Sequence, residues 1–196
     1  MSHATTVTTG AASYGRVSRA NHWITATLFL STLGLGFLMA YGGLARSTIG
    51  AIMDWHKLLG LSVLLYGIWR VGWRMWHGFA APAAPMPRWQ KTASKLVHVG
   101  LLVAILAMPL SGVTMTLAGG HALDLWGVTL LSAGGEVGWL GALAGAIHAY
   151  APWAILLLLA AHVGAALKHH VIDGDDTLRR MAAPAGSVVA RTKPVT

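Results

Sequence analysis

Four long apolar stretches run along the chain, separated by segments rich in glycine, proline and charged residues. They comprise residues 22–41, 56–73, 96–117 and 148–167, and the first and last contain no Asp, Glu, Lys or Arg. An α-helix needs roughly 20 predominantly apolar residues to cross the hydrocarbon core of a membrane. The pattern therefore predicts an all-α protein, an integral membrane four-helix bundle, with one membrane-spanning helix in each stretch.

The connections between these stretches carry residues that break helices. Residues 41–43 read Tyr-Gly-Gly, and three prolines lie within residues 82–87. The glycine-rich residues 119–145 predict one long connection, in which residues 140–146 form a short interfacial helix. Pro109 is expected to kink the third span, because it removes a backbone donor and crowds the preceding turn.

Composition supports a lipid environment and excludes several kinds of redox centre. The chain is 55% hydrophobic and only 10% charged, with a mean hydropathy of +0.60. Its net charge of +8 does not indicate nucleic-acid binding, because the basic residues form short clusters beside apolar runs instead of one basic face. The absence of cysteine excludes disulfides, iron–sulfur clusters and covalently attached c-type haem. Histidine, with ten copies, remains as the anchor for a redox metal.

Lysine and arginine predict the orientation, because positive charge is retained on the cytoplasmic side of a membrane. One set of segments carries Arg16, Arg19, Arg74, Arg88, Lys91, Lys95, Lys168, Arg179, Arg180, Arg191 and Lys193, whereas the other side carries only Arg46 and Lys57. Both termini are therefore expected on the cytoplasmic side of the membrane.

The chain is divided on this basis into a cytoplasmic segment 1–21, a membrane domain 22–181 and a disordered cytoplasmic tail 182–196. A cleaved signal peptide is the alternative interpretation of the first apolar run. That run is about twice the usual length of a signal-peptide core, and its removal would discard His22.

Four histidines fall at two matching depths. His148 and His162 are 14 residues apart on the fourth span, close to four turns of helix, so both point to nearly the same face with heights that differ by roughly 21 Å. His56 begins the second span at the depth of His148, and His22 begins the first span near the depth of His162. The spacing therefore predicts two pairs of histidines, one near each membrane face.

Each pair can bind the iron of one planar macrocycle through two imidazole nitrogens, which leaves no open coordination position and favours electron transfer. Zinc is an alternative, but zinc sites gather three or four ligands at one point. A purely structural role, with the histidines hydrogen-bonded inside the bundle, is the second alternative. Gly34, Gly36, Gly60 and Gly112 make room for flat faces in the first interpretation and serve ordinary helix packing in the others.

Several motifs together resemble the bacterial cytochrome b561 family. They are Arg19-Ala20-Asn21-His22-Trp23, the entry of His56 into the second span, the His148 to His162 spacing, Leu167-Lys168-His169-His170, and Asp176-Thr177-Leu178-Arg179-Arg180-Met181. The resemblance covers about residues 14–182. It implies two haem b groups in a four-helix bundle, with His22 paired with His162 and His56 with His148. The arrangement is also similar to the cytochrome b subunits of membrane formate dehydrogenases and nickel–iron hydrogenases.

A chain of this length most resembles the superoxide oxidase branch, which implies that superoxide is oxidised on the periplasmic side and ubiquinone is reduced. Lys57 and Arg46 are candidates to attract the anion at the outer haem, although Lys57 can equally extend to the lipid head groups.

His98, His169 and Lys168 are candidates to bind the quinone near the inner haem, and His98 is also an alternative axial ligand to His22. We expect electrons to enter at the outer haem and to leave at the quinone. Two other functions stay open: a membrane subunit that serves a soluble dehydrogenase or hydrogenase partner, and a simple electron carrier.

Overall fold

The computed structural model describes residues 14–78 and 85–182 and confirms the four-helix architecture. Its elements are α1 (Arg16–Tyr41), α2 (Arg46–His77), α3 (Arg88–Ala118), β1 (Leu123–Leu125), β2 (Val128–Leu131), α4 (Gly138–Val171) and α5 (Thr177–Ala182). The four long helices are each long and apolar enough to cross a membrane. The chain is a multi-pass membrane protein.

Consecutive helices are neighbours in the bundle: α1 packs on α2, α2 on α3, and α3 on α4. A small core between them contains Phe29, Val63, Ile105 and Ile155. Many large apolar side chains point outward instead, and Leu157 is 74% exposed. Such a surface is stable in a membrane, because apolar side chains that face lipid tails are not exposed to water.

The helices extend beyond the apolar stretches that predicted them. Helix α2 begins at Arg46, before the predicted start at residue 56, and α4 begins at Gly138, before the predicted start at residue 148. The prediction of a separate short interfacial helix over residues 140–146 is wrong, because these residues belong to the first turns of α4. Helical hydrogen bonding continues here past the point where the continuous apolar run stops.

The predicted long connection also contains an antiparallel hairpin formed by β1 and β2. Its two-residue turn, Trp126-Gly127, has positive φ angles of 46° and 82°. Two successive positive φ angles are typical of the primed hairpin turns, which usually use Asn-Gly or Asp-Gly. Tryptophan in the first position hid this turn from sequence reasoning.

The remaining helix ends lie close to their predicted breakers. Helix α1 ends at Tyr41 and is followed by Gly43 with φ +63°. Helix α3 begins directly after Pro87 and continues through Pro109, which is buried. The predicted boundary at residue 22 lies inside α1, while Pro82 and the tail beyond Ala182 lie outside the described residues.

Candidate functional site

The first histidine pair lies at the end of the bundle that carries the hairpin. His56 of α2 and His148 of α4 have ring centroids 6.0 Å apart. The second pair lies at the opposite end, near α5, where the rings of His22 and His162 are also 6.0 Å apart. We call these the hairpin end and the α5 end. The structure brings together the pairs that the depth argument predicted.

Backbone oxygens orient the two rings at the hairpin end. Nδ1 of His56 lies 3.1 Å from the carbonyl oxygen of Thr32, and Nδ1 of His148 lies 3.1 Å from that of Met108 and 3.0 Å from Oγ of Ser111. A carbonyl oxygen only accepts, so each Nδ1 carries the proton and donates it. Nε2 of each ring then carries the lone pair that a metal ion binds, an arrangement typical of metal-ligating histidines.

A cavity of about 440 Å³ separates the helices at the hairpin end and is lined by both histidines. Glycine leaves room beside each ring: a Cβ on Gly36 would lie 3.3 Å from Cε1 of His56, and one on Gly112 would lie 3.1 Å from Cε1 of His148, so the ring would have to move slightly to admit it. Gly60 also lines the cavity, whereas a Cβ on Gly34 would meet nothing within 4 Å. Three of the four predicted glycines therefore border the cavity.

These distances fit two axial ligands on one iron. Two imidazoles joined through one metal, with metal–nitrogen bonds of roughly 2.0–2.1 Å, have ring centroids roughly 6 Å apart. Both pairs have that separation. The site at the hairpin end, which is open between two flat rings and has an apolar wall with glycines at the ring edges, fits a haem.

Zinc fits less well. Within residues 14–78 and 85–182, the one group of three possible ligands with atoms all within 4.8 Å of one another is His169, Asp173 and Asp175. None of the four paired histidines belongs to it, so the pairs do not form the three- or four-ligand cluster that zinc prefers.

His98 lies beside the pair at the α5 end. Its ring centroid is 5.1 Å from that of His162, and its Nδ1 lies 2.6 Å from the carbonyl oxygen of Ser94. The separation is shorter than two imidazoles need when one iron lies between them, whereas the His22 separation matches. The geometry favours His22 as the partner of His162 and places His98 at the edge of that site.

Lys57 lines the cavity at the hairpin end, but its ammonium group already has partners. Nζ donates to the carbonyl oxygen of Asp124 at 3.0 Å and lies 3.5 Å from a carboxylate oxygen of Asp54. Arg46 is exposed at the first residue of α2, and the ten residues that separate it from His56 place it roughly 15 Å away along the helix axis. The structure brings Lys57 to the cavity and leaves Arg46 near the helix end.

Lys168 and His169 lie at the α5 end in a cluster of opposite charges. Nζ of Lys168 contacts the Asp173 carboxylate at 2.7 Å, and Nδ1 of His169 lies 3.0 Å from Asp173 and 2.9 Å from Asp175. The hydrogen bond from Lys168 lowers the pKa of the Asp173 carboxyl. His169 is seven residues after His162, on the same helix face but roughly 10 Å farther along α4.

Sequence reasoning missed the polar residues buried at the α5 end. Asn21 is 4% exposed, and its Oδ1 accepts hydrogen bonds from the hydroxyl of Tyr66 at 2.6 Å and from Nε1 of Trp69 at 3.3 Å. Arg70 lies within the second apolar stretch and has a buried Nη1. An arginine inside a predicted span is costly, and that cost was the signal that could have identified it.

Comparisons with known proteins identify the family of the chain. Residues 13–183 match the family described as prokaryotic cytochrome b561. Cytochrome b561 homolog 2 of Escherichia coli (strain K12) is 30% identical over 182 residues, which cover 89% of this chain and 93% of that protein. Cytochrome b561 homolog 1 of the same organism is 31% identical over 164 residues, covering 82% of this chain and 91% of that protein. The chain therefore belongs to the prokaryotic cytochrome b561 family and is a membrane protein that binds haem b and transfers electrons.

Proposed function

We propose that this protein is a superoxide:ubiquinone oxidoreductase with two haem b groups, held by His56 with His148 and by His22 with His162. The proposal places it in the bacterial inner membrane, with both termini in the cytoplasm and the hairpin end facing the periplasm. In the overall reaction two superoxide anions each lose one electron and leave as dioxygen. One ubiquinone gains both electrons and two protons to become ubiquinol.

The observation that carries the proposal is that one continuous helix, α4, supplies one histidine to each of the two pairs. His148 and His162 are separated by 14 residues, or roughly 21 Å, and each meets one histidine from another helix. Haem, when bound, supplies an iron that accepts and releases single electrons. A chain with such a site near each membrane face is suited to oxidise a one-electron donor on one side and to reduce quinone near the other.

Lys57 supports superoxide as the donor. It is the lysine that lines the cavity beside His56, and its positive charge favours the approach of a small anion. Asp54 offsets part of that charge, since its carboxylate lies 3.5 Å from the ammonium group. Arg46 contributes at longer range from the end of α2.

Three residues at the α5 end support the quinone half of the reaction. His98 lies beside His162, and its Nδ1–H donates to the Ser94 carbonyl oxygen. Its Nε2 accepts a hydrogen bond from a quinol hydroxyl, and donates one to a quinone oxygen when the ring is protonated. Lys168 and His169 contribute from the adjacent turns of α4, where Asp173 anchors both.

The direct test uses the purified protein alone, in detergent or nanodiscs. Superoxide generated in the sample should reduce the haems in stopped-flow absorption, and added ubiquinone should reoxidise them and yield ubiquinol. Haems that stay oxidised with superoxide, but are reduced through a co-purifying soluble subunit, would instead identify a membrane subunit of a larger enzyme.

The charges of Lys57 and Asp54, beside the cavity at the hairpin end, provide a test in which two substitutions should change the rate in opposite directions. Lys57→Glu should slow haem reduction by superoxide about threefold to tenfold, and Asp54→Asn should accelerate it, because each variant changes the local charge in the opposite direction. Both differences should shrink as salt is added. Arg88→Gln, exposed at the start of α3, is the control. Equal rates for the two charge variants at low salt, with normal haem spectra, would place the entrance elsewhere.

A further inference from the structure

Four hydrogen-bond donors on α1 and α2, near the α5 end, are buried and have no partner among the described residues. They are Nη1 of Arg19, Nδ2 of Asn21, Nη1 of Arg70 and Nε1 of Trp73. A buried polar group without a partner costs free energy, and a buried charge costs more. Every member of this set is a donor and two carry positive charge, so an acceptor with negative charge suits the whole set.

The four donors lie at nearly the same depth. Asn21 accepts hydrogen bonds from Tyr66 and Trp69, which fixes the register of α1 against α2. Arg19 then lies close to the level of Arg70, because the two helices run in opposite directions. Trp73 follows Arg70 by about one turn and lies on the same helix face.

This group of donors borders the second histidine pair. Arg19 precedes His22 by three residues and therefore shares its face of α1. Asn21 directly precedes His22 in α1. The donors thus lie beside the site that the two imidazoles define.

Among residues 14–78 and 85–182, no carboxylate forms an ion pair with Arg19 or Arg70. The whole sequence has six acidic residues. Asp54, Asp124 and Glu136 are at the hairpin end, in or near α2 and the hairpin. Asp173, Asp175 and Asp176 follow α4 and contact Lys168, His169 and Arg179.

We propose that Arg19, Asn21, Arg70 and Trp73 form the binding site for the propionate carboxylates of the haem held by His22 and His162. This inference rests on the proposed haem position. Two carboxylates offer the acceptor oxygens and the negative charge that these donors lack, and a guanidinium binds a carboxylate through two parallel hydrogen bonds.

A phospholipid phosphate has the same acceptor chemistry, but the burial argues against it. Asn21 is 4% exposed and accepts hydrogen bonds from Tyr66 and Trp69, so a lipid head group would have to pass these side chains to reach its Nδ2. A haem held between His22 and His162 would reach the same donors from inside the bundle.

The test labels the propionates in the intact holoprotein. Cells fed 5-aminolaevulinate with ¹³C at its carboxyl carbon make haem labelled only in the propionate carboxylates, and redox-difference infrared spectra then report their stretching bands. Arg70→Gln should shift part of the ¹³C-sensitive bands, Arg70→Lys should shift them less, and Arg88→Gln should leave them unchanged. Transfer of haem from the Arg70→Gln protein to apomyoglobin should be about 10- to 100-fold faster for one of the two haems.

Unchanged ¹³C bands in Arg70→Gln and Arg19→Gln, with two haems still present, would overturn the inference. So would unchanged bands accompanied by loss of a tightly bound anionic lipid in native mass spectrometry, which would identify a lipid site. Arg70→Lys and Arg19→Gln keep the test decisive should Arg70→Gln fail to fold. Retention of both haems in His162→Ala would instead contradict the haem position itself, so the two failures are distinguishable.

Discussion

At the scale of single residues, each of the four paired histidines has one expected role. His148→Ala should remove the haem at the hairpin end and His162→Ala the haem at the α5 end, because each substitution removes one of two axial bonds. A pyridine haemochrome assay should fall from two haems to one per chain in either variant. His121→Ala is the control, because His121 is exposed.

The same assay separates the two candidate partners of His162. His22→Ala should lose one haem, while His98→Ala should keep both and alter only the exchange with quinone. Loss of haem in His98→Ala together with its retention in His22→Ala would show that the ligand assignment is wrong.

Two glycines allow a matched comparison on one helix. In Gly36→Ala the new Cβ would lie 3.3 Å from the His56 ring, whereas in Gly34→Ala it would meet nothing within 4 Å. Alanine favours the helix at both positions, but overpacking costs roughly 1–3 kcal/mol where the ring cannot move. We expect lower haem content for Gly36→Ala and unchanged content for Gly34→Ala. Equal content in the two would mean that the His56 ring can shift aside.

At the scale of elements, the hairpin is attached to α2 by polar contacts. Trp126 donates its backbone N–H to Asp54 at 3.2 Å, Trp55 packs edge-on against the Trp126 ring at 5.1 Å, and Lys57 donates to the Asp124 carbonyl oxygen. Leu123 is buried and lines the cavity. The hairpin therefore forms part of the wall of the histidine site.

Removing the Asp54 carboxylate should loosen this attachment. In Asp54→Ala the amide of Trp126 loses its charged acceptor, a bond worth roughly 1.5–3 kcal/mol, so its hydrogen exchange should be about tenfold faster or more. Hydrogen exchange in α3 should not change in Asp54→Ala. In the Glu136→Gln control, the exchange rate of the Trp126 amide should stay the same. An unchanged rate at Trp126 would show that buried Leu123 and Leu125 hold the hairpin without help.

The central parts of the elements could be predicted from the sequence, and their ends could not. Continuous apolar runs identify the segments that lie in lipid, because each apolar residue in such a run adds to the free energy gained by moving the helix from water into the membrane. Helix α4 begins at Gly138 among glycines and alternating apolar residues, where no such run marks it. The hairpin depends on positive φ at Trp126, a conformation that the residue type does not announce.

The candidate site divides in the same way. Spacing along one helix is a local property, so the pairing of His148 and His162 with His56 and His22 could be predicted from depth alone. Side-chain partners depend on how neighbouring helices are rotated. The ion pair of Lys57 with Asp54 and the contact of His169 with Asp173 therefore became visible only in the structure.

At the scale of the whole molecule, the bundle has a polar cluster at each end and an apolar middle. Asp54, Lys57 and Asp124 meet at the hairpin end, and Arg19, Arg70 and Lys168 lie at the α5 end. The core between them is narrow, and most of the outer surface is apolar. Lipid therefore surrounds the part of the bundle that lies between the two histidine pairs.

The distance between the pairs has an electrical consequence. His148 and His162 span roughly 21 Å of a hydrocarbon core about 30 Å thick, so an electron passed inward crosses roughly two thirds of the membrane potential. A negative cell interior opposes that movement by roughly 1.6 kcal/mol for each 100 mV, two thirds of the cost of a full crossing. In oriented proteoliposomes, an interior-negative potassium diffusion potential should slow ubiquinone reduction by external superoxide, and collapsing the potential should restore the rate. An unchanged rate would mean that the quinone is reduced without net charge movement along α4.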